Sequence, residues 1–209
     1  MTTTLFTLET KALRAVRDPN GNTFTTPEID DIINAGIDAI ADFFPKEVID
    51  SSITIVGGVS TYALPSTITN VYRVDIYNNV GTYIGAVPRS VGRGANSGWE
   101  TQAGILRLPP SYNYGAGNVL TLSGYGPWSQ LATPNAVSDL PATAIEALMA
   151  YVQREVYDRM QLDRVLYQQW AAMPSNSDVS LIQLFRIQSN WQNRWNQERT
   201  RLRSMRKKN

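Results

Sequence analysis

The spacing of hydrophobic and polar positions divides the chain into two helical zones that flank a zone of short strands. Up to about residue 46, apolar side chains recur every three or four residues, the period of an amphipathic helix. Between 47 and 138 the pattern alternates and is rich in glycine and proline, and from 139 the helical period returns. The pattern predicts an α+β protein: a helical bundle of residues 1–46 and 139–209, with an inserted antiparallel β-sandwich or barrel-like domain of residues 47–138.

Two helices are predicted in the first zone. Apolar residues at helical spacing run from Leu5 to Val16 and end at the turn residues 18–21. A second helix is predicted from Pro27 to Phe44, because Thr25 and Glu28 are placed for a capping box and proline suits a first turn. An isoleucine-rich stripe follows, which predicts the buried face of that helix.

The middle zone predicts about five to seven strands. Gly57–Gly58 lies between the apolar runs 53–56 and 59–64, which indicates a two-residue hairpin. In residues 72–76 the apolar side chains of Tyr72, Val74 and Ile76 alternate with polar ones, which predicts a half-buried strand. Asn78 to Gly81 then predicts a turn into the next strand.

Three helical segments are predicted in the last zone. The first runs from Pro141 to about Met160, capped by Asp139 or Thr143, and a short piece covers 163–173. The last helix is predicted from Ser177 to near Met205. Because this helix is long compared with its partners, we expect its far end to project.

Residue composition argues against an enzyme. The chain has no histidine and no cysteine, which removes the usual acid/base group, thiolate nucleophiles and thiolate metal ligands. Two groups of acidic residues match no calcium-loop pattern and are interpreted as solvated helix faces. The first group is Asp30, Asp31 and Asp38, and the second is Glu155 and Asp158. We therefore expect no catalytic residues, no metal site and no cofactor.

Neither a membrane span nor a phosphate loop is predicted. No apolar run approaches the roughly 20 residues that a spanning helix needs, and the start of the chain shows no secretory signal. The glycine-rich segment 92–98 lacks the spacing and the lysine of a phosphate loop, so it is interpreted as a loop tip of the β domain.

Positive charge is concentrated at the C-terminus. Residues 194–209 hold seven basic residues against Glu198, a net charge of +6, which leaves −5 for the other 193 residues of a chain whose total is +1. The segment is open to three interpretations: a solvated tail, a nucleic-acid contact, or docking on an acidic protein surface. We favour docking on a protein, because a nucleic-acid-binding protein would be expected to have a basic body and the rest of this chain is acidic. Trp191 and Trp195, four residues apart, either pack in the bundle or anchor the helix to a partner.

Several stretches together resemble the head–tail adaptor (connector) proteins of tailed bacteriophages. They are 26–34 with 43–45, 62–65 with 71–74, 98–100, 105–109, 120–125, and 140–141 with 145–148. Their order and spacing carry the resemblance, which covers most of the chain.

The resemblance implies a structural virion protein of the neck region, assembled in the host cytoplasm. It implies a homo-oligomeric ring of twelve subunits between the portal protein and the tail or next connector protein. Double-stranded DNA would pass through the lumen of this ring without sequence recognition. The expected portal-binding residues are Trp191, Trp195, Arg199, Arg201, Leu202, Arg203, Met205, Arg206, Lys207 and Lys208. The expected tail-facing loop contains Arg89, Gly92, Arg93, Gly94 and Asn96.

Two other functions remain open at this point. A nucleic-acid-binding protein would act through the basic C-terminal helix. A glycan- or receptor-binding β module of a particle would use exposed aromatic residues, for which Tyr112, Tyr114, Tyr125 and Trp128 are the candidates.

Overall fold

Two compact units make up the computed structural model, which describes residues 3–90, 98–109 and 114–206. A helical unit comprises Met1–Phe44 and Trp128–Asn209, and a β unit comprises Pro45–Pro127. Helices α1 to α5 span Leu5–Ala15, Thr26–Ala41, Ala142–Leu162, Arg164–Ala171 and Leu181–Arg206. Strands β1 to β7 span Lys46–Thr54, Thr61–Ala63, Asn70–Tyr77, Tyr83–Val87, Glu100–Gln102, Ile105–Arg107 and Val119–Gly126. The predicted α+β class, with its long last helix, is confirmed.

Local capping residues set the starts of the first two helices. The Thr4 hydroxyl accepts a hydrogen bond from the Thr7 amide at the start of α1. At α2 the Glu28 carboxylate accepts from the amide (2.8 Å) and the hydroxyl (2.7 Å) of Thr25, and these bonds lower the pKa of Glu28. Helix α2 ends at Ala41, three residues before the predicted end.

The predicted cap of α3 is wrong. Pro141 occupies the N-cap position without a side-chain bond, and Thr143 lies inside the first turn. The Asp139 carboxylate instead accepts from the amide (3.2 Å) and hydroxyl (2.9 Å) of Ser129, so it closes the preceding loop. The short helix α4 begins as the pattern predicted, because the Asp163 carboxylate accepts from two amides of its first turn.

The core of the helical unit extends beyond the helices. Trp128 and Leu131 are buried in it, although the sequence placed residues 128–138 in the β domain. The indole of Trp128 donates to the Phe44 carbonyl over 2.7 Å, and Asn34 exchanges two hydrogen bonds with the backbone of Leu131. These long-range bonds hold the segment on α2. Whether the two units fold as separate domains stays a prediction.

The β unit consists of two antiparallel sheets. One has the strand order β1-β7-β3-β4 and the other β2-β6-β5. Their buried side chains form a separate core that includes Val74, Leu106, Leu120, Leu122 and Trp99.

Gly57 and Gly58 do not make the predicted hairpin. The strand before them, β1, pairs with β7, whereas the strand after them, β2, pairs with β6 in the other sheet. The two glycines still form a turn, with a positive φ of 78° at Gly58. The chain therefore uses this turn to cross from one sheet to the other.

A β-bulge changes the predicted burial in β3. The register against β7 shifts between Val71 and Arg73, so Val71 is buried while Tyr72 is 44% exposed. Asp75, predicted to face solvent, is buried and pairs with the Arg73 guanidinium at 2.7 Å. The bulge inserts one extra residue and so exposes Tyr72, whereas Val74 and Ile76 are buried as the period-2 pattern predicted.

Candidate functional site

The long helix α5 carries most of the residues that the sequence proposed for partner binding. Its buried stripe is Leu184, Trp195, Glu198 and Leu202, at intervals of eleven, three and four residues. This stripe lies against the helical unit over most of the length of α5. Trp195 and Leu202, both proposed as portal contacts, are 5% and 0% exposed.

Trp195 is a core residue. Its ring meets the ring of Tyr151 at 5.2 Å and that of Phe43 at 5.6 Å, both edge to face. Trp195 thereby joins α5 to α3 and to the residues that follow α2. Of the two interpretations of this tryptophan, core packing is the one that the geometry supports.

Between Arg194 and Leu202, the C-terminal part of α5 does not project as predicted but lies on α3. Arg201 donates to the Thr143 carbonyl over 2.6 Å and to the buried Glu198 carboxylate over 2.6 Å. Arg194 reaches the other oxygen of Glu198 at 3.2 Å. Since Leu202 is also fully buried, the segment is held on α3 at least as far as that residue.

A basic face remains open on the same helix; it consists of Arg199, Arg203, Met205 and Arg206, all exposed. The guanidinium groups of Arg199 and Arg203 both lie 5.7 Å from the centre of the Phe43 ring. That contact positions two cations side by side at the surface. Lys207 and Lys208 lie outside the described residues.

Trp191 lines an open groove of about 640 Å³ between α1, α3 and α5. The groove is defined here by Lys11, Ile145, Glu146, Met149, Asn190, Trp191 and Arg194. Its floor is apolar, and its rim carries the positive charges of Lys11 and Arg194 and the negative charge of Glu146. The two tryptophans therefore have different surroundings, one in the core and one in a surface groove.

The β-unit loop is described only at its base. The Arg89 guanidinium lies 5.4 Å from the centre of the ring of Trp99, which is buried. Trp99 and Pro88 are joined by a backbone hydrogen bond of 2.8 Å, and a side chain at Gly98 would collide with the backbone of Pro88 to Ser90. Gly92, Arg93, Gly94 and Asn96 lie outside the described residues.

Three of the four aromatic residues considered for glycan binding are described, and each of these is at least partly buried. Trp128 is buried in the helical unit, and Tyr125 packs against Tyr72 with ring centres 5.1 Å apart. Tyr114 is half-buried against the β-unit core. Tyr112 lies outside the described residues. The arrangement does not favour a glycan-binding module.

Three of the five acidic residues considered as metal ligands pair with glutamine or arginine side chains of the chain. Asp38 accepts from Gln130 over 2.6 Å, Asp158 accepts from Gln188 over 3.3 Å, and Glu155 pairs with Arg154 at 2.8 Å. In residues 3–90, 98–109 and 114–206, no three such side chains are grouped to hold a metal ion.

Sequence reasoning missed a buried carboxyl group. Glu9 is 5% exposed, and it shares a side-chain hydrogen bond with Asp30 of α2. Burial first, and then the neighbouring Asp30, raise the pKa of Glu9 to about 7. The signal was present, because Glu9 stands one residue after Leu8 and three before Ala12, within the apolar stripe of α1.

Comparisons with known proteins agree with an adaptor. The family model described as SU10 adaptor protein matches residues 3–207, nearly the whole chain. No curated protein matches the chain. Within the described residues, every helix is too short or too polar to cross a membrane. The chain belongs to the SU10 adaptor protein family and is a structural adaptor protein of a bacteriophage.

Proposed function

We propose that this adaptor forms a ring of twelve copies in the neck of the virion, between the portal protein and the tail or the next connector protein. Double-stranded DNA passes through the lumen of the ring without sequence recognition, and the ring assembles in the host cytoplasm. The family match over residues 3–207 carries this proposal, because it includes both the helical unit and the β unit.

The basic face is the part of the helical unit that we assign to the portal. Its charges stand out from a chain that is otherwise mildly acidic, and Met205, 40% exposed, adds an apolar contact. Lys207 and Lys208 follow directly in the sequence. Trp195, Arg201 and Leu202 act indirectly here, because they hold the helix in place instead of touching the partner.

Repetition makes such a surface effective. One exposed ion pair contributes roughly 0.2–1 kcal/mol. Around a ring the same weak contact recurs on every subunit, and the sum becomes large because later contacts form within an assembled complex. A surface of modest charge is therefore sufficient for attachment.

We assign the tail-facing side to the β unit, through the loop that contains Arg89. The stacking of Arg89 on buried Trp99 and the close backbone approach at Gly98 support this assignment. They give the loop a fixed base at residues 88–90 and 98–99, and loops held by a rigid scaffold commonly carry binding function.

The test is decoration of portal rings. Purified adaptor is mixed with portal rings of the same phage, and class averages from electron microscopy report whether a second ring is added. Wild-type protein should decorate the portal, and the double variant Arg199→Glu, Arg203→Glu should not. Arg14→Glu with Arg107→Glu makes the same change in net charge outside this face and serves as the control.

Three outcomes would contradict parts of the proposal. Absence of decoration by wild-type protein at saturating concentration would exclude portal attachment by this chain. Equal decoration by the double variant would place the attachment elsewhere. Steeply salt-dependent binding of free adaptor to duplex DNA, lost in the double variant while decoration persists, would favour the nucleic-acid function of the basic face.

A further inference from the structure

An exposed apolar surface lies at the end of the helical unit opposite to the basic face. Five large side chains form this apolar end: Leu162 (83% exposed), Val165 (60%), Leu181 (47%), Ile182 (68%) and Phe185 (55%). They come from the end of α3, from α4 and from the first turns of α5.

Two hydrogen bonds bring these segments together. The Tyr167 hydroxyl of α4 donates to the Val179 carbonyl, just before α5, over 2.8 Å. Gln188 of α5 donates to Asp158 of α3 over 3.3 Å. The first turns of α5 therefore lie beside the junction of α3 and α4. A group of exposed apolar side chains of this size is typical of a protein interface.

The groove offers a surface of complementary shape on the opposite side of α5. Leu181, Ile182 and Phe185 are each nine residues before a residue that lines the groove, respectively Asn190, Trp191 and Arg194. At about 100° per residue, nine residues are roughly two and a half turns, so each pair points in opposite directions from the helix axis. One helix thus presents a protruding apolar surface on one side and a concave one on the other.

We infer that the apolar end of one copy of this chain enters the groove of the next copy, through a head-to-tail contact. Such a contact uses two different surfaces of the same chain, and it closes into a ring when the rotation between copies is suitable. The inference rests on the proposed ring and names the surfaces that form it.

The chemistry of the two surfaces matches. Ile145, Met149 and Trp191 supply an apolar floor for Ile182 and Phe185. Charges of both signs flank each surface: Asp178, Arg164 and Arg186 stand beside the apolar end, and Lys11, Arg194 and Glu146 line the groove, so each surface offers partners for the charges of the other. An apolar centre with a charged rim is the usual anatomy of a protein interface.

The experiment uses cysteine cross-linking, which is clean because the natural chain contains no cysteine. Ile182→Cys and Asn190→Cys are combined in one full-length chain, and each is also made alone. Both positions are exposed, so the variants should fold, which circular dichroism checks. The two cysteines lie eight residues, about 12 Å, apart along one helix, which is too far for an intrachain disulfide. Each protein is oxidised both alone at high concentration and after mixing with portal rings, and analysed on denaturing gels.

The expected result is a ladder of covalent multimers from the double variant and only monomer from either single variant. Dimers from the Ile182→Cys variant alone would indicate a symmetric contact and overturn the inference. Decorated portals without a ladder would overturn the inference and leave the proposed function standing. A ladder without portal decoration would support the inference and overturn the proposed portal attachment. If the double variant shows no ladder and the wild-type protein shows no decoration at saturating concentration, both the inference and the proposed function are overturned.

A second measurement does not depend on cross-linking. Ile182→Glu with Phe185→Glu should weaken self-association by at least about tenfold in sedimentation experiments. Ile49→Glu with Val80→Glu, which replaces exposed apolar residues of the β unit, is the matched control and should leave association unchanged. Equal association of the two double variants would contradict the inference.

Discussion

The guanidinium of Arg201 donates to the backbone carbonyl of Thr143 over 2.6 Å and so ties the C-terminal part of α5 to the first turn of α3. The same side chain pairs with the carboxylate of Glu198, a residue that is 5% exposed. The basic residues that the sequence suggested for partner binding thus fall into two groups: Arg201 stabilises the fold, whereas Arg199, Arg203 and Arg206 are exposed.

Replacing Arg201 by alanine should destabilise the helical unit by about 1–3 kcal/mol, because it removes two hydrogen bonds and leaves the buried Glu198 carboxylate with Arg194 alone. Urea titration followed by circular dichroism measures the effect. The exposed Arg186→Ala variant on the same helix should change stability by less than about 0.5 kcal/mol. If Arg201→Ala and Glu198→Gln have additive effects in a double-mutant cycle, the two residues are not coupled in solution.

Truncation after Asn193 should unfold much of the helical unit instead of producing a folded chain that fails to bind. The deletion removes Trp195 and Leu202 from the core, and loss of the Trp195 ring alone should cost about 3–5 kcal/mol. Thermal melting of the truncated chain and of Trp195→Ala reports this. Met205→Ala, at an exposed position, is the control, and a truncated chain with native melting behaviour would refute the packing of this segment.

Replacing Gly36 by alanine should destabilise the protein although alanine is the better helix former. A methyl group there would come within 2.6 Å of a Leu148 methyl carbon and 2.8 Å of the Tyr151 ring. Overpacking of this kind costs about 1–3 kcal/mol, which exceeds the roughly 1 kcal/mol that alanine gains over glycine in a helix. Gly85→Ala, where the added carbon meets no atom within 4 Å, is the comparison. A higher melting temperature for Gly36→Ala would show that α2 and α3 pack less closely.

Glu9 should make the helical unit less stable as the pH rises. Its pKa is about 7 in the folded protein against a usual 4.5, so the folded state holds a proton that the unfolded chain releases between these values. The stabilisation is complete below about pH 4.5 and is lost as the pH rises through 7. Glu9→Gln imitates the protonated carboxyl group, so it should stabilise the protein at pH 8 and have little effect at pH 4.5.

The measurement is the difference in urea midpoint between Glu9→Gln and wild type across this pH range. Asp31→Asn removes a carboxylate from an exposed position on α2 and controls for the general change in charge. A wild-type minus variant difference that stays constant with pH would exclude a titrating Glu9.

The sequence by itself determined the features that depend on neighbouring residues. Thr25 and Glu28 form the start of α2, Asp163 starts α4, and Asn78 to Gly81 turns β3 into β4, because capping and turn geometry involve residues a few positions apart. The order of helical and β zones followed for the same reason, since hydrophobic periodicity is itself a local property.

Only the tertiary structure decided which distant segments meet. Gly57 and Gly58 indicated a hairpin, but the strands beside them pair with β7 and β6, more than 40 residues away, and local turn chemistry does not encode that choice. Trp128 joined the helical core through a bond to Phe44, and the basic end of α5 stayed on α3 through Leu202 and Arg201. The charge and the length of α5 suggested a projecting C-terminal end, because neither property indicates which part of the protein packs against that end. Burial of apolar surface against a partner far along the chain supplies that information, and it exists only in the folded molecule.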